Sequence, residues 1–321
     1  MSLPPLPLRP FGRTGESWPA LGMGGGFPAG FAGFDRSVET VRHALRLGVR
    51  YFDTSVMYRS GASQAILGEA LAGQTEPHFL ATKIGYFREA RHFRSVEAMH
   101  VQLRENLRLL RRDSVDLLQV HEADWDNWWA DRAEVDPGKL LDLKGDYEFA
   151  HAPVIQFLRE ARARGLCRHI GITGNHARHL GRLVRELDGL DAVLVAYNYT
   201  PLNVTTREHV IPPAVAKGMA VVVAGLFTFV NTLPKGWATE GSYLGPRSDA
   251  QLTQLQKLQR ECGLPMAELA LRFVAADARL STILVGACQP AEIAQNVASF
   301  LHGPLPADLH AAVEKIAAQF A

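Results

Sequence analysis

Short runs of apolar residues recur along the chain, separated by longer stretches in which apolar residues return every third or fourth position. The short runs are PALGMGG (19–25), RYFDT (50–54), HFLATK (78–83), VDLLQVH (115–121), RHIGIT (168–173), DAVLVAY (191–197), MAVVVAG (219–225) and STILVGA (281–287). Their length and their β-branched and aromatic content predict strands. The longer stretches, 36–47, 63–72, 95–110, 153–164, 176–187, 207–217, 250–261, 266–276 and 291–300, predict amphipathic helices. Boundary residues agree with that reading. Asp35 stands where an N-cap is expected and Gly48 where a helix ends; Pro153 opens the next clear case and Gly165 closes it.

AVLVAY and AVVVAG do not alternate, which suits parallel strands covered on both faces. Eight strand-then-helix steps predict a (β/α)8 TIM barrel, a single domain over 1–321, rather than a doubly wound sheet. Two segments break the spacing, 122–152 and 226–249. Both follow strands, so both belong to the strand C-terminal face, where barrel sites are built. Their aromatic residues (Trp125, Trp128 and Trp129 in the first; Phe227, Phe229, Trp237 and Tyr243 in the second) predict a pocket wall, with the three tryptophans as substrate contacts.

Polar residues at the predicted strand ends then acquire meaning. In order they are Asp53, Lys83, His121, Thr173, Tyr197 with Asn198, and Gly286, and Tyr58 follows Asp53 by one short loop. Singly, each has a structural explanation: a helix cap, a snorkelling amine, a bonded core imidazole, a loop aromatic. At successive strand ends they converge on one mouth. A free phenol titrates near ~10, too high for easy proton exchange at neutral pH. An adjacent ammonium favours its phenolate, and a carboxylate keeps that ammonium charged and in place. The imidazole can hold a substrate oxygen. The group is a general acid for a carbonyl oxygen or a general base for an alcohol. None of its members carries two electrons, so redox chemistry here requires a cofactor.

Composition narrows the alternatives. The formal net charge is +1 over 321 residues, which gives no field directed at nucleic acid. Cys167, Cys262 and Cys288 are odd in number and widely spaced, as expected of a reducing, cytoplasmic setting. No signal-peptide pattern and no apolar run of membrane-spanning length is found. GMGGGFPAG (22–30) has Phe27 where a dinucleotide fingerprint needs glycine. His176 and His179 lie one helical turn apart, but the sequence supplies no adjacent ligand to complete a metal site, and none is expected.

The chain resembles the aldo-keto reductases, NAD(P)-dependent oxidoreductases on a (β/α)8 barrel. The likeness runs from RPFGRTGESWPALGMGGG to VGACQPAEIAQNVASF, and LGVRYFDTSVMYRSGASQAILGEAL is its most specific segment. The resemblance implies that Asp53, Tyr58, Lys83 and His121 form a catalytic tetrad. Tyr58 is then the proton donor or acceptor, Lys83 tunes it, Asp53 pairs with Lys83, and His121 orients the substrate. It also implies that Gly24, Thr173, Asn175, Tyr197, Leu226, Phe227, Gly286, Glu292 and Asn296 border an NAD(P)H site. The substrate is then a small carbonyl compound, alcohol or sugar, with no nucleic-acid or membrane partner.

The departures are specific. Gln64 replaces the usual Glu of the signature, GITGN replaces the usual Ser-Asn pair, and Leu194 occupies the position of a usual Gln. No basic residue falls between Leu280 and Leu301, while Glu292 does. A carboxylate there repels an adenosine 2′-phosphate, so NAD(H) is expected over NADP(H). Two other readings stay open at this point: a nicotinamide-binding regulatory subunit without useful turnover, and a metal-dependent barrel hydrolase.

Overall fold

A computed structural model describes residues 4–26, 33–136, 138–227 and 249–320. It begins with an antiparallel hairpin of β1 (Leu8–Pro10) and β2 (Ser17–Pro19), strands too short to show in the sequence pattern. Eight parallel strands follow: β3 (Leu21–Gly24), β4 (Tyr51–Asp53), β5 (Phe79–Ile84), β6 (Val115–Val120), β7 (Cys167–Gly174), β8 (Ala192–Ala196), β9 (Ala220–Ala224) and β10 (Thr282–Gly286). They pair in chain order, and β10 pairs with β3 to close the barrel. The expected TIM barrel is thus the fold.

The helices that cover the strands are α1 (Phe34–Arg46), α2 (Ala62–Ala70), α3 (Val96–Leu110), α4 (Pro153–Ala163), α5 (Ala177–Glu186), α6 (Thr205–His209), α7 (Ile211–Ala216), α8 (Asp249–Cys262), α9 (Met266–Ala275), α10 (Pro290–Leu301) and α11 (Ala307–Ala317). Three differ from expectation. The stretch 207–217 is broken into α6 and α7, because Pro212 and Pro213 cannot donate into a continuing helix. Gly33, not Asp35, caps α1; its φ of 93° suits glycine, and Asp35 sits in the first turn, where its charge favours the helix N-terminus. Helix α11 lies beyond the last expected one and packs Val313, Ile316 and Ala317 inward.

Two apolar layers hold the barrel. Between strands and helices lies the larger, rich in Leu, Val and Ile. Inside the barrel is a smaller plug of Phe11, Trp18, Tyr51, Ala81, Leu117, Ala192, Leu194, Ala220, Val222 and Leu284. The hairpin supplies its base: Phe11 and Trp18 stack with centroids 3.7 Å apart, and Trp18 also packs on Phe79 (4.4 Å) and Tyr51 (5.0 Å). Each such fully buried ring contributes about 1.5–3 kcal/mol. The floor of the barrel is therefore sealed and apolar, and polar chemistry is confined to the opposite mouth.

Of the two long loops, 122–152 is described except for residue 137. It is tied down by Asp126, whose carboxylate accepts from Arg132 Nε and from the Tyr147 hydroxyl (2.8 Å). Of 226–249, Leu226, Phe227 and Asp249 are described; Phe229, Trp237 and Tyr243 lie outside the described residues.

Candidate active site

Successive inward positions on β4, β5 and β6 explain why charged residues meet. Tyr51, Ala81 and Leu117 belong to the apolar plug. Two residues further on, the same faces carry Asp53, Lys83 and Gln119, all buried. Lys83 Nζ donates to Asp53 Oδ1 and to the Thr54 carbonyl (2.9 Å), and Gln119 Nε2 donates to Asp53 Oδ2 (2.9 Å). The two side chains are 1% and 3% exposed, so this is a wholly buried ion pair. Burial pushes the Asp53 carboxyl up and the Lys83 amine down, and each partner's charge opposes that push. With both carboxylate oxygens and the amine hydrogen-bonded, we assign the pair as ionised.

Tyr58 opens a tight turn after β4. Lys83 Nζ lies 4.9 Å from its ring centroid, and the His121 imidazole stands edge-on to that ring at 5.5 Å. The four residues expected to converge do so. Their electrostatics differ from expectation in one respect. Burial pushes the Tyr58 phenol up, and the carboxylates of Asp53 and Glu122 add to the effect. The ammonium is already neutralised by Asp53, so the resting phenol is held protonated rather than drawn toward phenolate.

His121 is kept neutral by burial and by the charge of Lys83. Its Nδ1 meets Ser55 Oγ at 2.8 Å, and Ser55 Oγ accepts from the Met57 N–H at 3.2 Å. With the Ser55 proton directed to Nδ1, the ring hydrogen is assigned to Nε2, a donor for a substrate oxygen.

Backbone strain marks the same mouth. Six non-glycine residues among those described have left-handed backbone: Arg59, Ser60, Tyr86, Arg111, Glu122 and Tyr197. All but Arg111 lie in loops leaving strand C-terminal ends. Such conformations cost roughly 1–3 kcal/mol each and persist where surrounding structure enforces them, often at functional sites.

The residues expected to border a cofactor fall into two groups. Thr173 and Asn175 lie at the end of β7. Thr173 Oγ1 accepts the Glu122 N–H (3.1 Å), and Asn175 donates its side-chain amide to Glu122 Oε1. Tyr197 leaves β8 with its ring against Gly225, where even a methyl group would meet the ring at 2.4 Å. Leu226 is buried and Phe227 packs on the large core. At the end of β10, Asn296 donates to the Gly286 carbonyl (3.2 Å), and Glu292 Oε2 accepts from the Cys288 N–H (2.6 Å). Glu292 therefore also braces its own turn. Arg59, reaching over from the loop after β4, places a positive charge near Cys288, which the count over 280–301 misses.

Gly24 ends β3 with no atom closer than 3.9 Å to where a Cβ would be, leaving room for a close approach. Leu194 is part of the barrel plug. Donor chemistry supplies the test of fit: a phenol, an amine and an imidazole exchange protons but accept no hydride. With Gly24 leaving room at the end of β3, they fit a nicotinamide dinucleotide, which would supply the hydride chemistry these side chains lack.

Of the three tryptophans, only Trp125 packs in the aromatic chain beside His121, its ring 5.1 Å from Tyr86, which in turn lies 4.8 Å from the imidazole. Trp128 and Trp129 turn away from the expected substrate wall. They spend their N–H groups on the His121 (3.2 Å) and Ala123 (2.6 Å) carbonyls and pack on Phe93 and Phe149, bracing the loop from behind. His176 binds Asp124 rather than His179, with Nδ1 3.0 Å from Oδ2. No group of three or more ligating side chains among the described residues could hold a metal ion. Two surface clefts, one around Arg13, Asp188 and Lys217 and one around Gln74, His78 and Asp116, lie at the strand N-terminal end, away from this chemistry.

Sequence reasoning passed over Ser55, Gln119, Tyr86 and Glu122. Period two from Leu117 finds Gln119; nothing but adjacency to His121 signals Glu122. Burial and the Asp124 carboxylate push the Glu122 carboxyl up to about 7, while hydrogen bonds from Tyr86 and Asn175 restrain it. A raised folded-state value means that the native protein binds this proton more tightly than the unfolded chain. The cost is absent at low pH, grows as pH rises from the ordinary glutamate range to about 7, and is constant above. Glu122→Gln is accordingly expected to be more stable than the wild type at pH 8 by up to about 3 kcal/mol, a gap that closes toward pH 4.5. Urea unfolding at the two pH values checks this.

Comparison with known proteins agrees with the geometry. The chain is 28% identical over 306 residues to L-galactose dehydrogenase of Arabidopsis thaliana, covering 92% of this chain and 88% of that one. Among solved structures, the holo form of an aldo-keto reductase from Bacillus halodurans superposes with a TM-score of 0.74 at 22% identity, over 97% and 96% of the two chains. An aldo-keto reductase from Klebsiella pneumoniae in complex with NADPH does so with a TM-score of 0.69 at 20% identity, over 96% and 94%. No helix among the described residues is long and apolar enough to cross a membrane. The model of the Aldo/keto reductase family matches residues 20–318, and with the closed barrel and the site at its mouth this chain belongs to that family.

Proposed function

We propose that the protein is an NAD(P)-dependent oxidoreductase that interconverts a carbonyl group and an alcohol on a small molecule, with Tyr58 as general acid and base. The observation that carries this reading is the buried Lys83–Asp53 pair lying under the Tyr58 ring, with a neutral His121 edge-on to the same ring. When bound, the nicotinamide supplies the hydride in one direction and takes it up in the other. His121 Nε2 holds the substrate oxygen. In reduction, the Tyr58 hydroxyl gives its proton to that oxygen as the carbonyl carbon becomes an alcohol carbon. In oxidation, the tyrosinate takes the hydroxyl proton back. The elevated phenol of the resting site suits the donating role. Lys83, fixed by Asp53 and Thr54, faces the charge left on Tyr58 after the proton departs.

We further propose NAD(H) as the preferred form. The Glu292 carboxylate, standing in the turn after β10, disfavours a 2′-phosphate, although Arg59 nearby acts in the opposite sense. The resemblance to L-galactose dehydrogenase makes a hydroxylated aldehyde the first substrate class to test. The deciding experiment follows NAD+ and NADP+ reduction at alkaline pH across a panel of aldoses and alcohols, beside NADH and NADPH oxidation with simple aldehydes. Turnover with either cofactor supports the reading. Tight cofactor binding without turnover of any panel member favours a regulatory subunit, and chelator-sensitive hydrolysis indifferent to nicotinamide favours a hydrolase.

A further inference from the structure

Three buried polar atoms in the turn after β6 lack partners among the described residues: Asp124 Oδ1, on a carboxylate whose other oxygen accepts the Asn175 and His176 N–H groups, and Glu122 Oε2 and Trp125 Nε1. The residues of the last two are 5% and 3% exposed. Of these two, one is an acceptor and the other a donor. Leaving either unpaired in a protein interior costs about 1–3 kcal/mol, more for a charge, so such groups stand where something else meets them. Both belong to one tight turn, in which the Trp125 backbone N–H donates to the Glu122 backbone carbonyl (3.0 Å). Tyr86 links them: its hydroxyl bonds the Glu122 carboxyl and its ring packs on Trp125. The same ring lies 4.8 Å from His121.

Position also sets this pair apart from a structural contact. Asn175 holds the other carboxylate oxygen, Oε1, so the carboxyl is oriented and Oε2 is the atom left over. Glu122 follows His121 directly beyond the C-terminal end of β6, and its carboxylate meets Asn175 just past the end of β7, which places it at the mouth rather than behind the wall. Glu122 further has left-handed backbone (φ 49°), a strained conformation that the surrounding turn enforces. An oriented acceptor, an indole donor and flanking aromatic rings match the chemistry of a carbon chain bearing hydroxyl groups. A hydroxyl gives its hydrogen to a carboxylate and accepts from an N–H, while C–H faces lie on aromatic rings.

We propose that Glu122 and Trp125 form a hydroxyl-reading subsite, in which Oε2 accepts from a substrate hydroxyl and the indole N–H donates to a hydroxyl oxygen, so that the favoured substrate carries hydroxyl groups beside its reacting carbon. The inference rests on the oxidoreductase reading above and adds to it the feature that selects the substrate.

Glyceraldehyde and propanal are a matched pair that differ in hydroxyl groups. The ratio of their kcat/KM values, measured with whichever of NADH and NADPH supports turnover, reads the subsite directly. The wild type is expected to favour glyceraldehyde, Glu122→Gln to lower the ratio roughly tenfold or more, and Trp125→Phe, which keeps the ring and loses the donor, to lower it severalfold. Hydration of the aldehydes cancels between variants. A ratio left within twofold of wild type in both variants, each folded by circular dichroism, overturns the proposal. So does a Glu122→Gln protein that binds NADH or NADPH tenfold more weakly in a fluorescence titration while the ratio is unchanged, since Oε2 then meets the cofactor's amide. Wild-type turnover of both aldehydes at equal efficiency removes the subsite alone; turnover of no member of the wider panel, in either direction, removes the oxidoreductase reading with it.

Discussion

Tyr58→Phe is expected to lower kcat by roughly 10²- to 10⁴-fold, the usual worth of a positioned general acid, while leaving cofactor binding close to wild type. The expectation follows from the site's inventory. The buried amine of Lys83 is committed to Asp53 and Thr54, and His121 is held neutral, so neither replaces the phenol as proton donor. The ring of the variant still packs edge-on to His121, which keeps the pocket's shape. Turnover assays beside NADH and NADPH fluorescence titrations separate the two effects. A variant that binds cofactor and keeps full turnover removes Tyr58 from the mechanism.

Lys83→Met is expected to destabilise the fold by about 3–5 kcal/mol, in addition to abolishing turnover, because it strands the Asp53 carboxylate in the interior without its counter-charge. Among the described residues, only the Gln119 side chain continues to donate to that carboxylate. Asp53 is already pushed up by burial, and removing the ammonium pushes it further. Its folded-state value then lies above its unfolded one, so the penalty is present at high pH and shrinks as the carboxyl takes a proton. The double variant Asp53→Asn/Lys83→Met removes both charges and is expected to recover most of the lost stability. Urea unfolding of the single and double variants at pH 8 and pH 5 tests the cycle. A single variant as stable as wild type at pH 8 contradicts an ionised pair.

The eight barrel strands are legible in sequence because each is buried on both faces and so appears as an unbroken apolar run. The meeting of Asp53, Lys83 and His121 is legible for a related reason: a polar residue at the end of such a run must leave the core at the barrel's mouth, and Tyr58 follows Asp53 by one short turn. The hairpin strands of three residues each are shorter than any periodicity can show. The electrostatic misreading of Tyr58 has a different origin. Sequence order places Lys83 on the strand beside Asp53 but does not say how a single ammonium divides itself between a carboxylate and a phenol; the carboxylate, by far the stronger acid and in direct contact with the amine, wins. Glu122 escapes notice because its importance lies in an atom left without a partner, and missing contacts have no sequence signature. Trp128 and Trp129 show the reverse case. Aromatic content in a loop over the mouth suggests a wall, yet their N–H groups point back to backbone carbonyls, and they serve as the loop's own interior.

The sealed floor of the barrel bears on how the chain is made. Arg9, beside the stacked Phe11 and Trp18, donates its guanidinium hydrogens to the carbonyls of Ala275, Asp277 and Leu280, so residues more than 260 positions apart are fastened together. The hairpin that precedes the barrel thus has its seat beside the last strand that closes it. Until the final strand emerges, the indole of Trp18 has no finished cavity to enter, and the nascent chain carries an exposed aromatic stopper through most of its synthesis. Chains ending before Ala275 are expected to leave Trp18 open to solvent quenchers that the closed barrel excludes, a cost of stoppering a ring-shaped fold with a hairpin made before the ring is complete.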